Sequence, residues 1–476
     1  MSELTPLELK GAEGASVLPW FDRATIAAVR LLPGLGKRGV SNRILVAARG
    51  GAWTMFGYGG SQLLRFATQL VLARKLLGPQ AFGLVALVSV FLSGLEMLSD
   101  LGIGMDVIQH PRGDEHRFIN TAFLIQAGRG LILFALAGAL AYPFAKFYHQ
   151  PTVRWMIFVA AFSVGLRGLS SGSVWVLTRH VRLRELTALS LGGDSVGFLV
   201  SVAWAIVSPT AWALVVGRVA SSAVYVIASH CVGEERVSLD WDPKAARDIF
   251  LFGTGIFLSS ATYFMSGEAE RLIVGKFITV AELGCFSLAL TLSAAPAQAL
   301  SQVVGQVFFP MIASSLREDE NTAARHFRQA RSVFLILGIL VGITFVVYGP
   351  RLVALLLPPK YAMAGWMLQW LGFRGAQQIF VAPTSSLVLA SGNSRYPAMS
   401  NVVRFVLMSG GLWVSFTRYG IHEAVAVLAI SSFAAYFVLF PAIKRNIPKA
   451  FWFEVLSAAV FTGCLALAAI IPFPFR

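Results

Sequence analysis

Two stretches decide the fold: LVLARKLLGPQAFGLVAL at residues 70–87 and RLIVGKFITVAELGCFSL at residues 271–288. Lys75 and Gly83 of the first fall on Lys276 and Gly284 of the second, and Leu87 falls on Leu288, all at one constant offset. Phe56 and Phe257 keep the same offset. Each stretch reads as the end of one apolar run, a tight basic link and the start of the next run. Six such runs separate the copies. An even number inserts both halves with one orientation, which makes a parallel repeat about an axis along the membrane normal. The alternative is a chance likeness between two apolar stretches in a chain of biased composition.

Composition places those runs in a bilayer. Apolar residues make up 56% of the 476 positions and charged residues 13%, and the mean hydropathy is +0.69. A soluble domain needs more charge to cover its surface. The runs are each about 20 residues, the length that spans a hydrocarbon core. They fall at 50–73, 80–105, 117–141, 154–177, 185–207, 210–230, 247–270, 281–312, 331–357, 362–391, 396–416, 422–443 and 450–471. The expected architecture is all-α and polytopic, with 12–13 transmembrane helices in two six-helix lobes around a central cavity. It divides into an N-terminal tail (1–48), a first lobe (49–231), a linker (232–246), a second lobe (247–445) and an extra C-terminal segment (446–476). The tail is not a signal peptide, having no early apolar core with a small-residue cleavage site. Residues 23–32 read as a short amphipathic interfacial helix.

The basic residues orient the bundle. With the N-terminus inside, 23 of the 39 Lys and Arg lie in inside stretches and 10 outside, the other six lying within spans. This positive-inside bias makes 109–117, 179–184, 232–248 and 317–331 cytoplasmic, with a loop at 314–330. The net charge of +15 then reflects helix ends facing anionic lipid and not nucleic acid. Cys231, Cys285 and Cys464 are too scattered for a disulfide framework or metal site, and the seven histidines lack ligand spacing. No metal and no cofactor is expected.

Charge inside a span is costly, so each such residue is a functional candidate. Six arginines lie near mid-span: Arg65, Arg129, Arg167, Arg218, Arg374 and Arg404. The acids are Glu96, Asp100, Asp194 and Glu270, with Glu268 adjacent; no lysine lies mid-span. Polar residues accompany them at helical spacing: Tyr58, Gln62, Arg65 and Gln69; Ser89, Ser93, Glu96 and Asp100; Ser190, Asp194, Gly197 and Ser201; Arg218, Ser222, Tyr225 and Ser229; Gln298, Gln302 and Gln306. Such stripes face a bundle interior or a wet cavity. One reading is structural ion pairing, Arg65 with Asp100 for example. The other is an electropositive cavity, since six arginines exceed the acids available. Guanidinium suits phosphate because its planar fork stays charged and donates bidentate bonds. Gln62, Gln69 and the six arginines are therefore the candidate substrate site. Asp100, Asp194, Glu268 and Glu270 are the candidate proton or cation sites. Trp366 and Trp370 read as stacking aromatics or as interfacial anchors.

Two motifs carry nothing. GLGKRG at 34–39 lacks the preceding strand of a dinucleotide site, and GLSSG at 168–172 lies in an apolar span and not in a strand-turn-helix.

Residues 69–91, QLVLARKLLGPQAFGLVALVSVF, resemble the first-to-second helix signature of bacterial Wzx-type polysaccharide flippases. Residues 270–276 resemble their seventh helix, and VVGQVFFPMIASSLREDE at 303–320 the end of their eighth. The resemblance covers most of residues 45–445. It implies membership of the superfamily of multidrug, oligosaccharidyl-lipid and polysaccharide exporters, alternating access between two lobes, and no enzymatic step. It also implies an inner-membrane location, an oligosaccharide on polyprenyl pyrophosphate as substrate, and polysaccharide polymerase or export machinery beside membrane lipids as partners. Two departures stand out. Glu270 stands where the family often has Asp, and thirteen segments differ from the usual twelve or fourteen. The rival readings are a drug exporter of the same superfamily, which wants an acid-rich cavity, a membrane polymerase or glycosyltransferase, which wants a large outside loop, and a scaffold without transport.

Overall fold

The computed structural model describes residues 42–232 and 238–470, and among them there is no strand. The expected helix at 23–32 and the GLGKRG motif lie outside the described residues. In chain order the helices are α1 (Asn42–Val71, continued by a π-turn over Leu72–Leu76), α2 (Pro79–Met97), α3 (Ile103–Gln109), α4 (His116–Phe147), α5 (Pro151–Gly168), α6 (Ser173–Arg179), α7 (Leu183–Val207) and α8 (Trp212–Val232). They continue with α9 (Pro243–Gly267), α10 (Ala269–Phe277), α11 (Val280–Val303), α12 (Phe309–Glu318), α13 (Glu320–Leu356), α14 (Met363–Ala390), α15 (Arg395–Arg418), α16 (Ile421–Tyr436), α17 (Phe440–Asn446) and α18 (Pro448–Ile470).

Nine described helices are long and apolar enough to cross a membrane, or ten if α5 and α6, bent by 61°, form one span. Here α11 with α12, and α16 with α17, each count once. The expected spans at 50–73 and 362–391 fall short of that hydropathy. They correspond to α1 and α14, whose sequences are diluted by Gly, Ser, Thr, Gln and Arg. For α14 the reason is its position: most of it, Arg374 and Gln377 included, is buried against other helices and never meets lipid.

The repeat is visible where α2 and α11 cross. A methyl group on Gly83 would lie 1.8 Å from the carbonyl oxygen of Val280, and one on Gly284 would lie 1.8 Å from that of Pro79. Pro79 and Val280, like Gly83 and Gly284, are separated by the offset read from the sequence. The contact is therefore isologous, and a pseudo-two-fold axis passes between the two glycines. Only a residue without Cβ lets the backbones approach this closely. Both helices begin at this face, α2 with Pro79 in its first turn and α11 with a Thr279–Glu282 capping box. Helix pairing repeats as well. α4 packs on α5, α5 and α7 on α8, and α1 on α7; correspondingly α13 packs on α14, α14 and α15 on α16, and α9 on α15.

Several boundaries differ from the sequence reading. The span expected at 80–105 stops at Met97, and the chain turns through Gly102, at φ +59°, into α3. The loop expected at 314–330 is helical, with only Asp319 between α12 and α13; its carboxylate accepts from the Asn321 amide at 3.1 Å and caps α13. Arg331, expected in a cytoplasmic stretch, is completely buried and in ion-pair contact with Glu454 of α18 at 2.7 Å. GLSSG at 168–172 occupies the break between α5 and α6 and not a continuous helix; there the Ser171 amide donates to Ser229 Oγ at 3.0 Å.

Candidate functional site

The six span arginines form two groups. Four stand in the first half, one each on α1, α4, α5 and α8. Arg65 reaches Asp194 of α7 at 3.6 Å, so the pairing of Arg65 with Asp100 suggested by sequence does not form. Asp100 instead accepts from the Gly102 amide at 3.0 Å and from Ser260 Oγ of α9 at 3.4 Å. Arg218 reaches Glu96 of α2 at 3.8 Å. These distances describe loose pairs. The Arg65 and Arg218 side chains keep 63% and 39% of their surface accessible, although both spring from helices inside the bundle. They are not locked together in a packed core.

Among the described residues the other two arginines of this half make no ion pair. Arg129 donates to Ser99 Oγ at 3.2 Å and to the Glu96 carbonyl at 2.6 Å. Arg167 donates to Ser222 Oγ at 3.3 Å and lies 5.0 Å from the centre of the Tyr225 ring. Glu96, Asp100, Gln126, Arg129 and Arg167 line a cavity of about 300 Å³ between α2, α4 and α5. At its wall α4 and α5 touch through glycines: a methyl on Gly130 would sit 2.8 Å from the Gly168 Cα. Gln62 of α1 donates to Gln298 of α11 at 2.7 Å, so that stripe meets the second half of the chain. Gln69 is half-buried on the same helix.

The second group lies between α10, α14 and α15. Arg374 donates to Glu270 at 2.5 Å, and both side chains are almost fully buried. Arg404 stands nearby with Nη2 buried and without a hydrogen-bond partner. Glu268 is taken up by Arg271, one turn on, at 2.7 Å. Trp366 stacks on His422 with ring centres 3.9 Å apart, while Trp370 is exposed.

Sequence reasoning missed a third polar cluster. Arg331 of α13 and Glu454 of α18 are both fully buried. Glu454 Oε1 accepts from Thr384 Oγ1 at 2.6 Å, from Arg331 Nη2 at 3.0 Å and from the Tyr436 hydroxyl, and Arg331 also donates to the Phe380 carbonyl. Arg331 lay at the edge of a basic stretch, and Glu454 was the lone acid in the last apolar run; that lone acid was the available signal. Among the described residues no group of His, Cys, Asp and Glu is placed to hold a metal ion.

A two-fold repeated bundle of membrane-length helices around an arginine-lined cavity defines a multi-pass membrane transporter. The chain belongs to the polysaccharide biosynthesis protein family, whose model matches residues 71–364. It is similar to the succinoglycan biosynthesis transport protein ExoT of Rhizobium meliloti, 21% identical over 345 residues, covering 71% of this chain and 67% of that one. Among solved structures it shares the fold of the lipid II flippase MurJ, with TM-score 0.63 and 11% identity over 87% of this chain and 96% of that one. An inward-facing MATE multidrug transporter of the MOP superfamily gives TM-score 0.61 and 11% identity over 84% and 96%.

Proposed function

We infer that this protein flips an oligosaccharide linked to polyprenyl pyrophosphate across the inner membrane by alternating access, with its N-terminus in the cytoplasm. The division at 232–246 separates the two lobes that move. The observation that carries this reading is the first arginine group. Arg129 and Arg167 line one cavity with Glu96 and Asp100 and form no ion pair among the described residues, and Arg218 stands within electrostatic reach of Arg167 and Arg65. A diphosphate supplies the missing negative charge in a geometry that planar forks bind well. Family membership and the likeness to a succinoglycan biosynthesis transport protein and a lipid II flippase support a glycan-assembly substrate. The drug-exporter reading wants a cavity dominated by acids, and here arginines outnumber them. Glu270 and Asp194, each held by an arginine, are the coupling candidates: a cation or proton replaces the arginine when the lobes rearrange. Asp100, held by an amide and a hydroxyl and not by an arginine, and Glu268, held by an arginine of its own turn, are weaker candidates.

The test is glycan export normalised to membrane-inserted protein. Arg167→Ala removes a charge-assisted contact of about 1.5–3 kcal/mol, so export falls by about ten- to a hundredfold at normal abundance. Arg167→Lys falls between, keeping charge and losing the fork, and Arg167→Glu is null. Arg65→Ala and Arg218→Ala follow the same order. Normal export in all three alanine variants rejects the anionic-substrate reading and leaves the fold intact.

A further inference from the structure

A separate basic concavity lies between the N-terminal turns of α13 and α18. Asn321, Arg325, Arg328, Gln329 and Lys449 line it, with a volume of about 390 Å³. Lys449 Nζ donates to Asn321 Oδ1 at 2.6 Å, and Arg328 donates to the Lys449 carbonyl. These bonds hold the rim in shape without neutralising it. Among the described residues none of Arg325, Arg328 and Lys449 makes an ion pair. Of the nearby acids, Asp319 is engaged in capping α13, and Glu320 forms no ion pair with these cations among the described residues. Lys444, one helix away, adds to the positive field and lies 5.9 Å from the centre of the Phe451 ring. Three cations around one hollow call for an anion.

The helix faces below the hollow say what kind. On α13, Arg325 and Gln329 continue at helical spacing into Val333, Ile336 and Leu340, all exposed. On α18, Lys449 continues into Trp452, Leu456, Val460 and Leu467, all exposed, with Trp452 76% accessible. Each helix thus presents one outward face that is basic at its first turns, aromatic at the next turn of α18, and apolar along the remainder. That order matches a bilayer leaflet read from headgroup to acyl chain. A soluble phosphate would use the basic end alone and leave the apolar faces unexplained.

We propose that this concavity binds the headgroup of an anionic phospholipid, whose acyl chains lie along the exposed faces of α13 and α18. Arg325 and Arg328 bind the phosphate, and Lys449 serves the second negative group or the glycerol oxygens. The site is distinct from the substrate arginines and does not depend on the flippase reading. Because α18 is tied to the second half through Arg331 and Glu454, a lipid here braces the thirteenth segment against α13.

The experiment uses the full chain, purified in a neutral detergent. Thermal melting and native mass spectrometry are recorded with dioleoyl phosphatidylglycerol, dioleoyl phosphatidylcholine, dihexanoyl phosphatidylglycerol and inorganic phosphate. The expected result is stabilisation and retained lipid with dioleoyl phosphatidylglycerol only. The triple variant R325Q/R328Q/K449Q retains it about tenfold less or weaker still. If the triple variant does not fold, R325Q and K449Q are read singly, each with a partial loss. Equal stabilisation by phosphatidylcholine, or unchanged retention in the variants, overturns the proposal. Stabilisation by inorganic phosphate or the short-chain lipid equal to that by the long-chain lipid assigns a soluble-phosphate site and overturns it too.

Discussion

Tyr148 and Tyr361 make the same contact from opposite halves of the molecule. Tyr148, just after α4, donates its hydroxyl to the Leu272 carbonyl of α10 at 2.8 Å. Tyr361, just after α13, donates to the Leu77 carbonyl at the end of α1's π-turn at 2.9 Å. A lysine accompanies each: Lys276 Nζ donates to the Phe147 carbonyl at 2.7 Å, and Lys360 Nζ to the Leu77 carbonyl at 2.5 Å. Burial pushes both phenols above their usual range, so both stay protonated donors at any physiological pH. The two halves are thus sewn together at the face where α2 and α11 begin.

The first prediction concerns that seam. Tyr148→Phe and Tyr361→Phe each remove a bond worth about 0.5–1.5 kcal/mol net, and each favours opening of this face by about two- to tenfold. Cys285, buried in the second turn of α11, is the reporter. In a C231S/C464S background, maleimide labelling of Cys285 should rise in either variant and further in the double. Labelling rates equal to the parent would show that the tyrosines do not hold the face shut.

The glycine crossing gives the second prediction. Gly83→Ala and Gly284→Ala each force a methyl into a carbonyl oxygen of the other half, because neither backbone is free to retreat. Overpacking of this kind costs about 1–3 kcal/mol. Both variants should melt lower and label faster at Cys285, and the two should resemble each other because the contact is isologous. A variant pair that differs widely in melting temperature would argue against the pseudo-two-fold axis at this position.

Much of this was legible in the sequence, and what was not has a physical cause. The constant offset from Lys75 to Lys276 and Gly83 to Gly284 carried the repeat, because a close helix crossing needs glycine at one site in each copy. The polar stripes carried Arg65, Arg129, Arg167 and Arg218, since lipid excludes them at mid-span. Partner choice was hidden: the sequence offers Arg65 both Asp100 and Asp194, and only the packing of α1 on α7 selects Asp194. Arg331 was hidden because a basic residue beside Arg325 and Arg328 reads as part of a cytoplasmic end, whereas α13 runs unbroken and turns that one side chain inward. The break at Met97 was hidden by the apolar residues of α3, which extend the hydropathy past the true helix end.

Acid should loosen the linker at a defined point. Arg112 donates to Asp242 at 2.6 Å, and this hydrogen bond holds the Asp242 carboxyl below the usual carboxylate range. A depressed folded value means that the contact contributes above about pH 4, the ordinary aspartate value, and is lost as pH falls through the lower folded one. Protection of the amides at 238–246, followed by hydrogen exchange corrected for intrinsic rate, should stay level from pH 8 to 5. It should fall only under stronger acid. Asp242→Asn should lower it at every pH. The measurement belongs in a His110→Gln background, because His110 lies 3.8 Å from Asp248 and is a second ionisable contact beside the linker. A transition near pH 6 in that background would refute the assignment to Asp242.

The last prediction concerns the buried pair that joins α18 to the rest. Arg331 and Glu454 have no exposed surface, and their partners Tyr436, Thr384 and the Phe380 carbonyl come from α14 and α16. Removing one member leaves the other charged and enclosed, which costs about 3–5 kcal/mol. Arg331→Met and Glu454→Gln should therefore each lower the melting temperature and the membrane abundance sharply. Removing both leaves no orphan charge, and replacing a buried pair by apolar groups of similar size is often neutral. The double variant Arg331→Met with Glu454→Met should thus be more stable than Arg331→Met alone, even though it carries one more substitution. The Tyr436 hydroxyl and Thr384 would lose an acceptor in that variant, so recovery should be partial and should improve with Tyr436→Phe added. The readouts are melting temperature of the purified protein and glycan export per inserted molecule. If the pair serves only to fasten α18, export per molecule should be nearly constant across the series while abundance varies. Export that collapses in the double variant at recovered stability would instead place Arg331 or Glu454 in the transport cycle.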